Sequence, residues 1–344
     1  MADTENNQRD GSKSHFEWGS HQPRSYFPLE FSRQAMACEF QVLLNQRHPA
    51  RGPDVAIQAL DRISALEPVL SVYIETSEFS ELNRRAAEEP VRVSSDVFVV
   101  LREAKKFYQW TQGAFDISAA SLSNAWGFSR RNGRMPTPEA IDQARLQCGS
   151  DAIDLEESTQ SVRFLRGGLQ INPGGIGKGY ALDCAAKLLR EAGIDEFLIH
   201  GGKSSAIAQG TQHGSGSDGW LIAVRHPYQL ETLLGELHLK DRAIGTSGAA
   251  NQFFYFQGKR YGHVIDPRSG WPAQHWLSVT VVCADAMAAD ALATAAYVMS
   301  EEEIVAFCGE HPEVGVLAIR AGQRQGETEV VAWNLDTAVW RPLR

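Results

Sequence analysis

The stretch Phe253-Phe254-Tyr255-Phe256-Gln257-Gly258-Lys259-Arg260-Tyr261-Gly262-His263-Val264-Ile265 reads as two strands joined by a tight turn. Aromatic residues run from Phe253 to Phe256, Gln257-Gly258-Lys259 supplies turn chemistry, and a second strand is expected from Arg260 to Ile265. A hairpin makes an antiparallel pair, whereas a doubly wound sheet needs a helical crossover between each pair of strands. Beyond the hairpin, Ser278 to Ala284 is a β-branched strand that leads into an alanine-rich helix, Ala286 to Met299, with closing strands at Gly315 to Ile319 and Val330 to Trp333. Before it come strands near 196–200 and 220–225, the latter with both faces largely apolar, and a strand from Phe40 to Leu44. Helical spacing is evident in Val55, Ala59, Ile63 and Leu66 over 55–70, and in Val97, Val100, Leu101, Ala104 and Tyr108 over 95–112. Strands and helices alternate irregularly, so the expected class is α+β with antiparallel sheets.

The chain has 344 residues and a formal charge of −9, with 33 Lys+Arg against 42 Asp+Glu, and 43% of residues are hydrophobic. That is ample material for a buried core and excludes a coiled coil, a collagen-like chain or a largely disordered one. An acidic balance supplies no basic field for sequence-independent binding to nucleic acid, so no nucleic-acid partner is expected. No run approaches the ~20 apolar residues that span a bilayer, so no membrane insertion is expected. Five cysteines at 38, 148, 184, 283 and 308 contain no CxxC pair, which points to reduced thiols rather than a disulfide framework or thiolate zinc site. Residues 1–25 are polar and rich in Gly, Ser and Asn, which reads as a mobile tail ahead of a single domain over 26–344. With no apolar signal region or lipid-attachment cysteine at its start, the chain is expected to be cytoplasmic.

Four segments stand out for chemistry. The run Asn172-Pro173-Gly174-Gly175-Ile176-Gly177-Lys178-Gly179-Tyr180 lies between an expected strand, Leu169 to Ile171, and a helix with Ala181, Ala185, Leu188 and Leu189 on one face. Glycines let backbone approach a ligand and a helix start favours negative charge, which suits a phosphate, or simply a tight turn. The run is not a P-loop, because Gly179 follows Lys178 where Ser or Thr is required. Next, Thr246-Ser247-Gly248 precedes the hairpin, and His263 stands before Asp266-Pro267-Arg268-Ser269-Gly270, which places an imidazole at a sheet rim where it can titrate near neutrality, or merely a surface His beside an Asx turn. In Ala288-Ala289-Asp290-Ala291-Leu292-Ala293-Thr294 the oxygens of Asp290 and Thr294 stand at i and i+4 and could share a hard cation, or hydrogen-bond on a solvated face. Finally, Gly113-Ala114-Phe115-Asp116, followed by Asn124 to Phe128, could line a flat pocket or fill core.

In this order, Met36, Tyr73 with Ser77-Glu78, Gly113 to Asp116, Gly174 to Asp183, Thr246 to Gly248, His263 to Gly270 and Ala289 to Ala295 resemble the FAD:protein FMN transferase (ApbE-like) family over about 36–300. The resemblance implies a two-lobed antiparallel fold that binds FAD between its lobes with Mg²⁺ at the pyrophosphate. It implies that Met36 and Tyr73 pack against the isoalloxazine and that Ala114, Phe115 and Asp116 contact the nucleotide. By the same resemblance Asn172 and Lys178 would hydrogen-bond FAD, Ile265 would touch it through its backbone, and the Gly175 carbonyl, Asp290 and the Thr294 hydroxyl would hold the metal. His263 would be the base that deprotonates a Ser or Thr hydroxyl of an acceptor flavoprotein, which takes FMN while AMP leaves. Attack by water would instead make the chain an FAD pyrophosphatase, and binding without turnover would make it a non-catalytic flavin-binding protein.

The chain departs from the family pattern in places. Ala37-Cys38 follows Met36 where Gly-Thr is usual, Asn172 stands where Asp is common, and Lys203 follows His200-Gly201-Gly202 where an acidic residue is familiar.

Overall fold

A computed structural model describes residues 27–202, 204–229, 231–248, 252–324 and 326–343. The expected tail over 1–25 and the Lys203 departure fall outside the described residues.

The chain opens with β1 (Leu29–Ala35), β2 (Cys38–Leu44), α1 (Gly52–Leu70), α2 (Glu78–Arg85), β3 (Val91–Arg92), α3 (Ser95–Trp110), α4 (Ala120–Ala125), α5 (Pro138–Leu146), β4 (Ile153–Glu156) and β5 (Ser161–Phe164). It continues with α6 (Gly177–Glu191), β6 (Phe197–Gly201), β7 (Ser205–Gln209), β8 (Trp220–Arg225), β9 (Leu233–Leu239), β10 (Arg242–Gly248), β11 (Phe253–Phe256) and β12 (Lys259–Gly262). The closing elements are β13 (Ser278–Cys283), α7 (Ala286–Val298), α8 (Glu301–Glu310), β14 (Gly315–Ala321), β15 (Thr328–Trp333) and β16 (Trp340–Pro342).

Eight strands in the order β1-β2-β6-β7-β10-β13-β14-β15 form one sheet in which every neighbouring pair is antiparallel. Side chains alternate across a strand, so each strand serves two cores. Val42, Ile199, Ala243, Val281 and Val316 face a core that holds α1, α3, α6 and α7. Their neighbours Leu43, Leu198, Ile244, Val282 and Leu317 face a second core closed by Trp220, Leu237 and Trp340 of the three-stranded sheet β16-β9-β8. A third cluster joins Leu122 and Trp126 of the α4 region to Ile141 of α5 and Tyr261 of β12.

The hairpin forms, in a tighter version than expected. Phe253 pairs with Gly262 and Phe256 with Lys259, leaving Gln257 and Gly258 as a two-residue turn. Both turn residues have positive φ, 50° and 76°, the requirement of the turn that matches strand twist. The second strand therefore starts at Lys259 and ends at Gly262 rather than running from Arg260 to Ile265, and Ile265 makes only an isolated bridge to Pro272.

Leu169 to Ile171 is a second correction. It is not a strand, and Gln170 makes a single parallel bridge to Ala119. The Asn83 side chain acts as the missing neighbour, donating to the Ile171 carbonyl at 3.0 Å and accepting from its N–H at 2.8 Å. One amide satisfies the backbone there, so no ladder is required. The expected helix over 95–112 stops at Trp110, where Thr111 turns its hydroxyl onto the Phe107 carbonyl at 2.7 Å.

Candidate active site

The glycine-rich run becomes a short 3₁₀ turn, Pro173–Gly175, followed at Gly177 by α6. Asn172 starts it by accepting the Gly174 N–H on Oδ1 at 2.9 Å, an Asx turn that holds the side chain against its own loop. Helix α6 then passes α7 at very short range. A Cβ at Gly179 would lie 2.1 Å from the Ala286 carbonyl oxygen, so only glycine allows this approach. Gly245 of β10 does the same on the other flank of α7, where a Cβ would meet Ala289 backbone at 2.4 Å.

The two helices cap each other. Asp183 of α6 accepts the N–H groups of Ala286 and Met287, each at 2.9 Å, at the start of α7. Asp290 of α7 accepts the Gly179 N–H at 2.7 Å in the first turn of α6. Carboxylates at helix N-termini satisfy free N–H groups and complement the dipole. Burial nevertheless pushes the Asp183 carboxyl up to about 7.

Asp290 is at the centre of the cavity and is 7% exposed. Its second oxygen accepts from Ser205 Oγ at 2.5 Å. Ser205 in turn accepts from Lys178 Nζ at 3.2 Å, and Lys178 also donates to Ser204. Burial raises the Asp290 pKa, while the Lys178 charge and the bonds from Ser205 and Gly179 pull it back. The alternative of an Asp-Thr pair on a solvated face is thereby overturned. Thr294 joins this array through the main chain, because its Oγ1 lies 3.2 Å from the Asp290 carbonyl oxygen, and it also lies 3.3 Å from Ser247 Oγ.

A cavity of about 470 Å³ opens above this array. Its wall includes Ala114, Phe115 and Asp116 from the loop after α3, Asn172, Gly175 and Lys178 from the glycine run, Ser204 before β7, and Ser247 at the end of β10. Gln252, His263 and Ile265 from the foot of the hairpin complete it with Asp290 and Thr294.

The sequence places the His263 imidazole at a sheet rim where it can titrate near neutrality, and in the structure it lines the cavity. It is half-buried, and burial lowers its pKa below the ordinary histidine value, partly opposed by its bond to Gln252. Nδ1 lies 3.2 Å from the Gln252 carbonyl oxygen. A carbonyl can only accept, so Nδ1 carries the proton and Nε2 keeps its lone pair.

Asp116 lines the cavity, but its Oδ1 is already engaged by Ser118 N–H at 2.8 Å, Ser118 Oγ at 2.7 Å and Ser150 Oγ at 2.6 Å. Its side chain therefore holds the loop in shape. Met36 and Tyr73, expected beside a flavin ring, do not line this cavity. Met36 sits in the turn between β1 and β2, with Ala37 beside it, both at positive φ of 49° and 59°. That turn is where the family pattern has glycine, and an alanine there carries about 1–2 kcal/mol of steric cost. Tyr73 is 78% exposed.

Sequence reading missed Ser204, Ser205 and Gln252. Ser205 opens a buried strand and Gln252 precedes an aromatic one, and neither position carries a pattern that distinguishes it from an ordinary loop serine or glutamine.

Among the described residues no cluster of three or more His, Cys, Asp or Glu could hold a metal. A hard cation could still be met by oxygen donors of another kind. The Thr294 hydroxyl donates to the Asp290 main-chain carbonyl at 3.2 Å, and a Cβ at Gly175 would lie 3.2 Å from Thr294 Oγ1, so the Gly175 backbone runs close to that hydroxyl. Asp290, Thr294 and Gly175 all line the one cavity and offer oxygens of the kind a hard cation takes.

Fold and cavity together place the chain in a class of α+β proteins with solved members. The crystal structure of the ApbE protein from Thermotoga maritima superposes with a TM-score of 0.76 at 27% identity, covering 85% of this chain and 94% of that one. The flavin transferase ApbE from Vibrio cholerae superposes with a TM-score of 0.75 at 27% identity, covering 90% and 97%. The chain belongs to the ApbE family, whose profile matches residues 36–318. It is 33% identical over 256 residues to the FAD:protein FMN transferase of Vibrio cholerae, which covers 73% of this chain and 74% of that protein.

Proposed function

We propose that this chain is an Mg²⁺-dependent FAD:protein FMN transferase that attaches FMN to a Ser or Thr hydroxyl of an acceptor protein. The observation that carries the reading is the array of Asp290, Ser205 and Lys178 at a glycine-rich helix start, with the His263 imidazole lining the same cavity. The pyrophosphate of FAD rests against the first turn of α6, where N–H groups and Lys178 offset its charge. Asp290, Thr294 and the Gly175 carbonyl would hold Mg²⁺, which when bound neutralises charge on the pyrophosphate oxygens. Asn172 and the backbone of Ala114, Phe115 and Ile265 position the nucleotide, and Asp116 keeps the 114–118 loop in place. Contact of Met36 and Tyr73 with the flavin ring would require that ring to extend beyond the cavity wall.

In the transfer, the acceptor hydroxyl oxygen attacks the phosphorus that bears riboflavin. His263 Nε2 takes the hydroxyl proton, the bond from that phosphorus to the bridging oxygen breaks, and AMP leaves with the bridging oxygen. FMN remains on the acceptor as a phosphoester. The test incubates the purified chain with FAD, Mg²⁺ and co-expressed candidate acceptors, and measures covalent FMN by mass spectrometry together with AMP release. Free FMN and AMP without acceptor labelling would make the chain a pyrophosphatase, and FAD binding with neither product would make it a binding protein.

A further inference from the structure

Two stretches that supply cavity-lining residues, 117–138 and 242–265, have a charge pattern unlike that of the whole chain. No Asp or Glu occurs between Asp116 and Glu139 or between Asp241 and Asp266, in a protein whose net charge is −9. Arg130, Arg131 and Arg134 occur in the first interval, and all three are exposed. None makes an ion pair among the described residues.

The loop that carries them is fastened to the cavity wall. Gln252, which lines the cavity, donates to the Phe128 carbonyl oxygen at 2.7 Å. The Phe128 ring meets His263 edge-on at 6.4 Å and Phe254 of the hairpin at 5.8 Å. Arg134 N–H closes the loop onto the Trp126 carbonyl at 2.9 Å, so the turn is built rather than loose.

We propose that this arginine loop docks an acidic stretch of the acceptor protein, aspartates or glutamates beside the hydroxyl that receives FMN. The inference rests on the transferase reading, since an acceptor segment that brings its hydroxyl to His263 comes beside Phe128, two residues ahead of Arg130. FAD would have Lys178 and the α6 start inside the cavity, and Arg130, Arg131 and Arg134 do not line it, which leaves these cations to a second anionic partner. Complementary rim charge acts mainly on encounter rate and salt dependence.

The test uses full-length protein loaded with FAD and two fluorescent peptides, each with one central threonine. One peptide carries aspartates around the threonine and the other asparagines. Fluorescence anisotropy is expected to show the aspartate peptide binding roughly ten-fold tighter, as three rim charges each contributing about two- to three-fold imply. Arg130→Ala/Arg131→Ala/Arg134→Ala and raised salt should both close that gap, while cleavage of FAD by water stays unchanged. Should the triple variant not fold, Arg130→Ala/Arg134→Ala leaves the left-handed Arg131 backbone untouched and should close most of the gap. Equal binding of the two peptides, no binding of either, or a preference that survives the variants would overturn the proposal. Capture of phosphatidylserine vesicles by the arginines without peptide discrimination would also overturn it, in favour of a membrane surface. Failure of the transferase reading is read separately, as absence of covalent FMN on every acceptor protein incubated with the unmutated chain, FAD and Mg²⁺.

Discussion

Replacing Asp290 separates structural from chemical work, because its two oxygens have different partners. In Asp290→Asn, the amide oxygen can keep the Gly179 N–H and the NH₂ can donate to Ser205, whose hydroxyl reverses. Both bonds survive in weaker, uncharged form, and burying a neutral amide costs less than burying a carboxylate, so the net destabilisation is about 1 kcal/mol. In Asp290→Ala both bonds vanish and the Gly179 N–H is left unmet beside Lys178. With charged hydrogen bonds contributing about 1.5–3 kcal/mol each, less the relief of an unburied carboxylate, the net loss is about 3 kcal/mol. Thermal melting should therefore move by roughly 2 °C for the asparagine variant and several degrees for the alanine variant. Cleavage of FAD with Mg²⁺, followed by chromatography of AMP and FMN, should fall at least about 100-fold in both. An asparagine variant with full activity at saturating Mg²⁺ would refute the role of the carboxylate. One that melts as low as the alanine variant would refute the hydrogen-bond reasoning.

For His263, native-state burial disfavours the charged form, so the unfolded chain binds more protons and stability falls as pH drops below the ordinary histidine value. Transfer should rise with pH to a plateau reached below pH 7, and His263→Ala should lose that limb with about a 100-fold fall in rate, read from initial rates across pH. Gly179→Ala gains helix propensity but forces α6 off the Ala286 carbonyl; a net loss of about 1–3 kcal/mol is expected in urea melts, and wild-type stability would refute the close-packing argument. The Asp183 carboxyl has its native pKa raised to about 7, so the native state binds the extra proton and stability declines as pH rises from about 4 to about 7. Asp183→Asn should flatten that segment of the stability curve, and an unchanged slope would assign it to other groups.

The hairpin was legible because Gln257-Gly258 between aromatic runs is a local signal. The same holds for α7, whose buried alanines left Asp290 conspicuous. What escaped was non-local. Leu169 to Ile171 has strand composition, yet its partner is a single side chain, Asn83, 88 positions away in sequence. His263 was placed at a rim because the Asp-Pro turn follows it, while its burial comes from Phe128 and Gln252 on separate segments. Ser118 and Ser150, which donate to Asp116 Oδ1 from 2 and 34 positions away, carry no motif.

The reciprocal capping of α6 and α7 has a consequence for how the chain reaches its native state. Gly179 and Asp290 are 111 positions apart, with strands β6 to β13 between them in sequence. Contacts of such long sequence separation form late and slow folding. Asp290 and Thr294 are therefore missing from any species that ends before α7, and truncation there is expected to remove ligand affinity entirely rather than in proportion. A ligand at 100 times its Kd would stabilise the whole cooperative unit by about 2.7 kcal/mol. FAD would then act on refolding yield as much as on catalysis, since it binds only the completed chain.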